Sequence, residues 1–173
     1  MKLIKTLIAD HQRLLVLARE LERILSELTD SLKPAALDGI QRQLQQLIEL
    51  LSSHDERERT ELFPLLRDRL PKADYWQIGM TESQDEMLLN EIRHLHELVS
   101  NPPLSVSADQ LRKNVTPFIR WLREHVRIEE EDLFPKLQGR SEGLMSDLPG
   151  PTPLRKVSLR SRLKALFKRS TGI

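Results

Sequence analysis

The chain has 173 residues, a formal net charge of +1, no cysteine, 39% hydrophobic and 31% charged residues, and only 4% aromatic residues. That length carries one compact domain with its own core, and the absence of cysteine excludes a disulfide framework, a thiolate metal site and a cysteine nucleophile. No apolar run approaches the roughly 20 residues of a membrane span, and the opening MKLIKTLIAD meets a charge too early for a signal-peptide core, so a cytoplasmic address is expected.

Four segments carry a helical period. In the first, Leu3, Ile4, Leu7, Ile8, His11, Leu14, Leu15, Ala18, Leu21, Leu25 and Leu28 step by three and four along one face. The second runs Leu37, Ile40, Leu44, Leu47, Leu51, His54, Glu58, Leu62, Leu65. A third, placed after Gly79, reads Met80, Gln84, Met87, Leu88, Leu95, Leu98. The fourth reads Leu111, Val115, Phe118, Leu122, His125, Glu129, Leu133, Leu137. Each is the apolar stripe of an amphipathic helix. Glycines and most prolines are expected at helix ends and joints, and the connections, including Lys33-Pro34 and Asn101-Pro102-Pro103, are short. The expected fold is all-α: an antiparallel up-down-up-down four-helix bundle over residues 1–140. Pro64 and Pro135 should kink or end the second and fourth helices, and Pro117 marks either a late start or a bend in the fourth.

Residues 141–154, SEGLMSDLPGPTP and the following Leu154, read as a linker. Residues 155–173 hold seven of the 27 basic residues and none of the 26 acids, so the chain up to Gly150 carries a formal charge of −6. Leu159, Leu163, Leu166 and Phe167 would share one face of a short amphipathic helix. The alternative is a disordered solubilising tail. A contact role would suit an acidic protein, an anionic membrane surface reached peripherally through residues 155–169, or nonspecific contact with nucleic acid. No sequence-reading DNA motif, phosphate loop, serine triad or dinucleotide fingerprint is present.

The informative residues are those that interrupt the apolar stripes. His11, His54, Glu58, His125 and Glu129 stand where the helices should be buried, and a buried imidazole or carboxylate needs a compensating partner. Residues four apart lie roughly 40° apart around a helix, so each His-x-x-x-Glu pair can reach one ion. The two pairs also repeat: His54, Glu58, Phe63 and Pro64 recur 71 positions later as His125, Glu129, Phe134 and Pro135. One such pair alone is more often a solvated helix surface, but two in register with the apolar stripe reverse that weighting. Three imidazoles and two carboxylates suit iron, manganese or zinc better than calcium or magnesium, and the mixed set favours a pair of iron ions. Ferritin-like proteins use paired Glu-x-x-His motifs instead, and only Glu91 to His94 fits that spacing here.

The elements Asp10-His11-Gln12, HDERERTELFP (54–64) and HVRIEEEDLFP (125–135) resemble the hemerythrin-like, or HHE cation-binding, family over roughly residues 1–138. The resemblance implies a non-haem di-iron centre near one end of the bundle, with His11, His54 and His125 as terminal ligands and Glu58 and Glu129 as bridges. Members bind dioxygen, sense iron, oxygen or nitric oxide, handle peroxide, or repair iron–sulfur clusters. The family pattern has a histidine on the third helix in the setting Glu-His-Asp-Glu, and this chain reads Ser83-Gln84-Asp85-Glu86, which puts Gln84 at the ligand position. A looser di-iron site, a mononuclear site (iron, manganese or zinc) and a site completed by water all remain open. His94 and His96 lie roughly 15 to 18 Å further along that helix and are expected at a solvated rim. Glu130, Glu131 and Asp132 are expected on the solvated side of the fourth helix, where one of them could bond a ligand histidine, and Trp121 either walls a pocket or simply packs.

Binding, sensing or buffering of a small ligand (dioxygen, nitric oxide, peroxide) or of iron is the favoured reading over a dedicated enzyme. The alternatives are a helical interaction module with a degenerate metal site, and a peroxide-consuming or iron-centre repair protein. Repair is the less favoured of these, since versions in that branch carry an added cysteine-bearing segment.

Overall fold

The computed structural model describes residues 2–29, 32–101 and 107–137. The linker (141–154) and the basic tail (155–173), with its expected helix, lie outside the described residues. Among the described residues all regular structure is helical: α1 (Lys2–Glu27), α2 (Pro34–Arg57), α3 (Phe63–Arg69), α4 (Tyr75–Ser100), α5 (Ala108–Ile128) and α6 (Phe134–Leu137). Helices α1, α2, α4 and α5 are the four long ones. Each packs against two others, α1 and α4 both lying against α2 and α5, so that they form a helical bundle.

The helix ends follow local chemistry. Pro34 opens α2 at the first turn, where its missing N–H costs nothing, and Lys33 before it is extended. Ser107 caps α5, its hydroxyl accepting from the Gln110 N–H at 3.1 Å. Arg112 on α5 donates to the carbonyls of Leu25 and Leu28, which satisfies groups left open at the end of α1.

Several sequence expectations are corrected here. The third long helix starts at Tyr75 rather than after Gly79, and both Gly39 and Gly79 lie inside helices. Pro117 also lies inside α5, which begins well before it, so the late start is ruled out. Trp121 is half-buried against the core and serves packing.

Pro64 and Pro135 neither end the helical path nor leave it regular. Each follows a five-residue π turn, Glu58–Leu62 before α3 and Glu129–Leu133 before α6. In these turns the N–H of Phe63 bonds to the Glu58 carbonyl and that of Phe134 to the Glu129 carbonyl, five residues back. A proline has no N–H and its ring collides with the carbonyl four residues earlier, so a wider turn relieves both problems at once. The extra residue rotates the downstream helix by about one position. Phe63 and Leu66 are therefore buried, whereas Leu65, expected on the stripe, is only half-buried.

The apolar residues form two clusters. The larger contains Leu14, Leu21, Leu44, Leu51, Leu88, Leu95, Leu111 and Leu122, and the smaller Ile4, Leu7, Leu62, Phe63, Leu66, Ile78, Leu133, Phe134 and Leu137. Along every long helix the polar residues of interest fall between them: Asp10 and His11 on α1, His54 and Glu58 on α2, Gln84 and Asp85 on α4, His125 and Glu129 on α5. Each fully buried leucine contributes roughly 1.5–3 kcal/mol, so the two apolar layers can offset the cost of one polar layer between them.

Gly79 offers a direct test of the helix assignment. It is exposed, and a Cβ there would meet nothing within 4 Å. Glycine inside a helix costs about 0.8–1 kcal/mol relative to alanine. Gly79→Ala is expected to raise the melting temperature by about 2–4 °C, and a loss of stability in a thermal melt would contradict an α4 that starts at Tyr75.

Candidate metal centre

All five residues that interrupt the sequence stripes are buried, with exposures of 0% for His11, His54, Glu58 and Glu129 and 1% for His125. The two His-x-x-x-Glu pairs arrive from α2 and α5, and each glutamate is the first residue of a π turn. One donor atom from each of His54, Glu58, His125 and Glu129 lies within 4.8 Å of every other.

Glu129 organises the cluster. Its Oε2 is 2.9 Å from His11 Nε2 and 3.5 Å from His54 Nε2. Its Oε1 is 3.0 Å from His125 Nε2, which in turn is 3.1 Å from Asp85 Oδ1. His11 Nε2 and His54 Nε2 are 3.3 Å apart, and His54 Nε2 lies 3.7 Å from Glu58 Oε1. The donor atoms thus divide into two groups, one facing each oxygen of Glu129.

These spacings have a physical meaning. A cation held at about 2.0–2.2 Å sets neighbouring ligand atoms about 3.0 Å apart in an octahedron and about 3.4 Å apart in a tetrahedron. Several of the close atoms are also left without hydrogen bonds: Glu58 Oε1 and Oε2, Glu129 Oε1, Asp85 Oδ1 and His125 Nε2 are buried and have no partner among the described residues. Buried polar atoms are almost always satisfied, so converging lone pairs without donors fit a cation.

The electrostatics agree. Burial, reinforced by the negative charge of Glu129, pushes the carboxyl groups of Glu58 and Asp85 well above their usual range. Asp55, next to His54, is pushed up to about 7 by burial and by Glu129. Burial opposes ionisation of Glu129 too, but the surrounding His125, His11 and His54 outweigh it and hold Glu129 below the ordinary carboxylate range. Burial likewise lowers His125. His11 faces the same burial penalty, yet Glu129 and Glu130 hold its proton and raise it. Carboxyl groups forced to keep protons are groups from which a cation can displace them.

Supporting contacts orient the side chains of the cluster. His11 Nδ1–H donates to Glu130 Oε1 at 2.8 Å, leaving Nε2 turned toward Glu129 and His54. The Phe134 ring stacks on His11 at 5.5 Å with the planes 8° apart, so the repeated Phe-Pro element buttresses the histidine of another helix. Asp10 is buried beside His54 and held by Arg57, which also donates to Ser53 Oγ at 2.8 Å. Glu131 and Asp132 are exposed, as the sequence led us to expect, and so is His94, while His96 is half-buried. Gln84 is buried on α4, adjacent to Asp85. Sequence reasoning gave no site role to Asp10, Asp55 or Asp85. Their signals were position, since each is the immediate neighbour of a stripe residue (His11, His54 and Gln84), and their place within the motif elements that carry the family resemblance.

Residues 2–137 match the profile described as the hemerythrin HHE cation binding domain. The chain belongs to this family. It is similar to the iron–sulfur cluster repair protein YtfE of Escherichia coli O1:K1 and to the YtfE of Escherichia fergusonii, each 31% identical over 127 residues. Those alignments cover 71% of this chain and 56% of each relative, so the chain spans about half the length of the curated relatives it matches. No solved structure matches it. In this hemerythrin-type domain the His/Glu cluster between the two apolar layers is the feature suited to a cation.

Proposed function

We propose that this hemerythrin-type domain is a non-haem iron protein that reversibly binds a small ligand, namely dioxygen, nitric oxide or peroxide, in order to sense or buffer it. The observation that carries the reading is the set of buried, unpartnered carboxylate and imidazole atoms gathered around both oxygens of Glu129. His11, His54 and His125 would hold the metal as neutral imidazoles, with Glu58 and Glu129 shared between two irons. Iron bound there would supply an exchangeable electron and an affinity for diatomic ligands. The order of the clusters along the helices supports an up-down-up-down bundle, since α1 and α4 meet the smaller cluster first and α2 and α5 the larger.

The protein's own groups do the rest. Glu130 fixes the tautomer of His11, and Phe134 fixes the plane of its ring. The two apolar clusters close the polar layer from both sides, which keeps bulk water out and favours a small neutral ligand over a charged substrate. No helix among the described residues is long and apolar enough to cross a membrane, and a cytoplasmic location is proposed.

The test is metal analysis of protein loaded anaerobically with ferrous iron, followed by optical and Mössbauer spectra before and after dioxygen or nitric oxide. Up to two irons per chain and a ligand-dependent spectrum are expected. No retained metal, together with an unchanged melting temperature in His54→Ala, would overturn the reading in favour of an interaction module. A second reading, handling of iron for cluster repair, is supported by the names of the similar proteins. These 173 residues contain no cysteine and would supply no thiol to that work. Restoration of a damaged cluster protein in vitro, without small-ligand binding, would favour it.

A further inference from the structure

We infer that Asp85 is the ligand supplied by α4, completing the side of the centre formed by His125 and Glu129 Oε1. The inference rests on the metal-centre reading and adds a residue that the sequence pattern assigned to its neighbour Gln84. Three observations carry it. Asp85 is 4% exposed and sits in the polar layer between the two apolar clusters. Its Oδ1 lies 3.1 Å from His125 Nε2, and Glu129 Oε1 lies 3.0 Å from that same nitrogen. Asp85 Oδ1, Glu129 Oε1 and His125 Nε2 all lack a hydrogen-bond partner among the described residues.

The third observation separates a ligand from an orienting residue. A carboxylate that positions a ligand histidine accepts an N–H from the ring nitrogen turned away from the metal. Glu130 does this for His11. Asp85 instead approaches the nitrogen of His125 that faces Glu129, and no hydrogen bond joins them, while His125 Nδ1 also has no partner. Two carboxylate oxygens that lie 3.0 and 3.1 Å from one imidazole nitrogen, all three buried and without hydrogen bonds, are spaced as neighbouring ligands of one ion would be.

A carboxylate ligand from α4 has a chemical consequence. It adds one negative charge to a centre that already holds Glu58 and Glu129. Oxygen ligation favours harder ions, so manganese should compete with iron better here than at an imidazole-completed site.

The experiment compares full-length wild type, Asp85→Asn, Asp85→Ala and Gln84→Ala after anaerobic loading with ferrous iron or manganous ion and gel filtration. Metal per chain is measured by mass spectrometry and affinity by chelator competition, with a thermal melt of each metal-free protein as the folding control. Asparagine keeps the volume of aspartate while weakening the ligand. The expected result is that both Asp85 variants lose one ion, or bind it at least about 10-fold more weakly, while Gln84→Ala matches wild type. His125→Ala should lose the same ion, and adding Asp85→Asn to it should cost nothing more. Wild-type and Asp85→Asn proteins with equal metal content and affinity would overturn the inference while leaving the metal reading intact. Loss in Gln84→Ala alone would likewise overturn it and return the role to Gln84. No metal in wild type would overturn both.

Discussion

Glu129→Gln is expected to weaken binding of ferrous iron by about 100-fold or more, the largest effect of any single substitution in the centre. Changes to groups that merely orient ligands commonly cost about 10–100-fold in affinity, and Glu129 touches both halves of the donor set. Its Oε2 serves the His11 and His54 side and its Oε1 the His125 side. Glutamine keeps the shape but removes the charge and replaces one oxygen with an N–H donor that points at a lone pair. The loss should therefore fall on every ion bound, in contrast to a terminal histidine such as His11, whose removal should spare one side. Anaerobic competition titration against a chromophoric chelator measures this. A loss under about 10-fold, or a loss confined to one of two ions, would show that Glu129 does not bridge. The metal-free melting temperature should change far less than the affinity, because the substitution also removes a buried negative charge that opposes ionisation of Glu58, Asp85 and Asp55.

The second large effect is on the metal-free protein, which should lose stability as pH rises from 5 to 8. Asp55, Glu58 and Asp85 have folded-state pKa values raised above those of the unfolded chain, Asp55 to about 7. A raised group contributes stability that is fully present below its unfolded pKa, about 4 for a carboxylate, and is lost as pH climbs through the folded value. His11, also raised, loses its contribution above its usual 6.5. His125 is lowered and works in the opposite direction near pH 6.5, but it is one group against four. Glu129 is lowered as well; its contribution is present above 4.5 and fades only under more acidic conditions, outside this window.

A fall of about 5 °C or more in melting temperature between pH 5 and pH 8 is expected for chelator-treated protein. Saturating manganous ion should flatten or reverse the slope, since binding requires the deprotonated ligands and favours the folded state. Calorimetry of both forms across the range checks the sign. A metal-free protein that grows more stable toward pH 8 would mean that the buried carboxyl groups are compensated by something other than protons.

The four long helices and the five buried polar residues on their apolar faces were legible in the chain. Periods of three and four placed His11, His54, Glu58, His125 and Glu129 on apolar faces, and those faces are buried because a helix turns by roughly 100° per residue whatever surrounds it. The repeat of His, Glu, Phe and Pro at a separation of 71 residues marked two equivalent helical segments without any knowledge of their packing. The flanking residues depend on how the helices pack. Asp10, Asp55 and Asp85 are one residue away from stripe positions, on the flank of the helix. A flank faces solvent or a neighbouring helix according to how closely and at what angle the two helices pack. For the same reason nothing in the sequence pattern shows that the packing of α4 against α5 brings Asp85 Oδ1 to 3.1 Å from His125 Nε2. The π turns were legible only as two prolines that had to disturb a helix. Whether such a disturbance becomes a kink, an end or a widened turn depends on which register buries the next apolar residues, and here burial of Phe63, Leu66 and Phe134 against Ile4, Leu7 and Ile78 selected the widened turn.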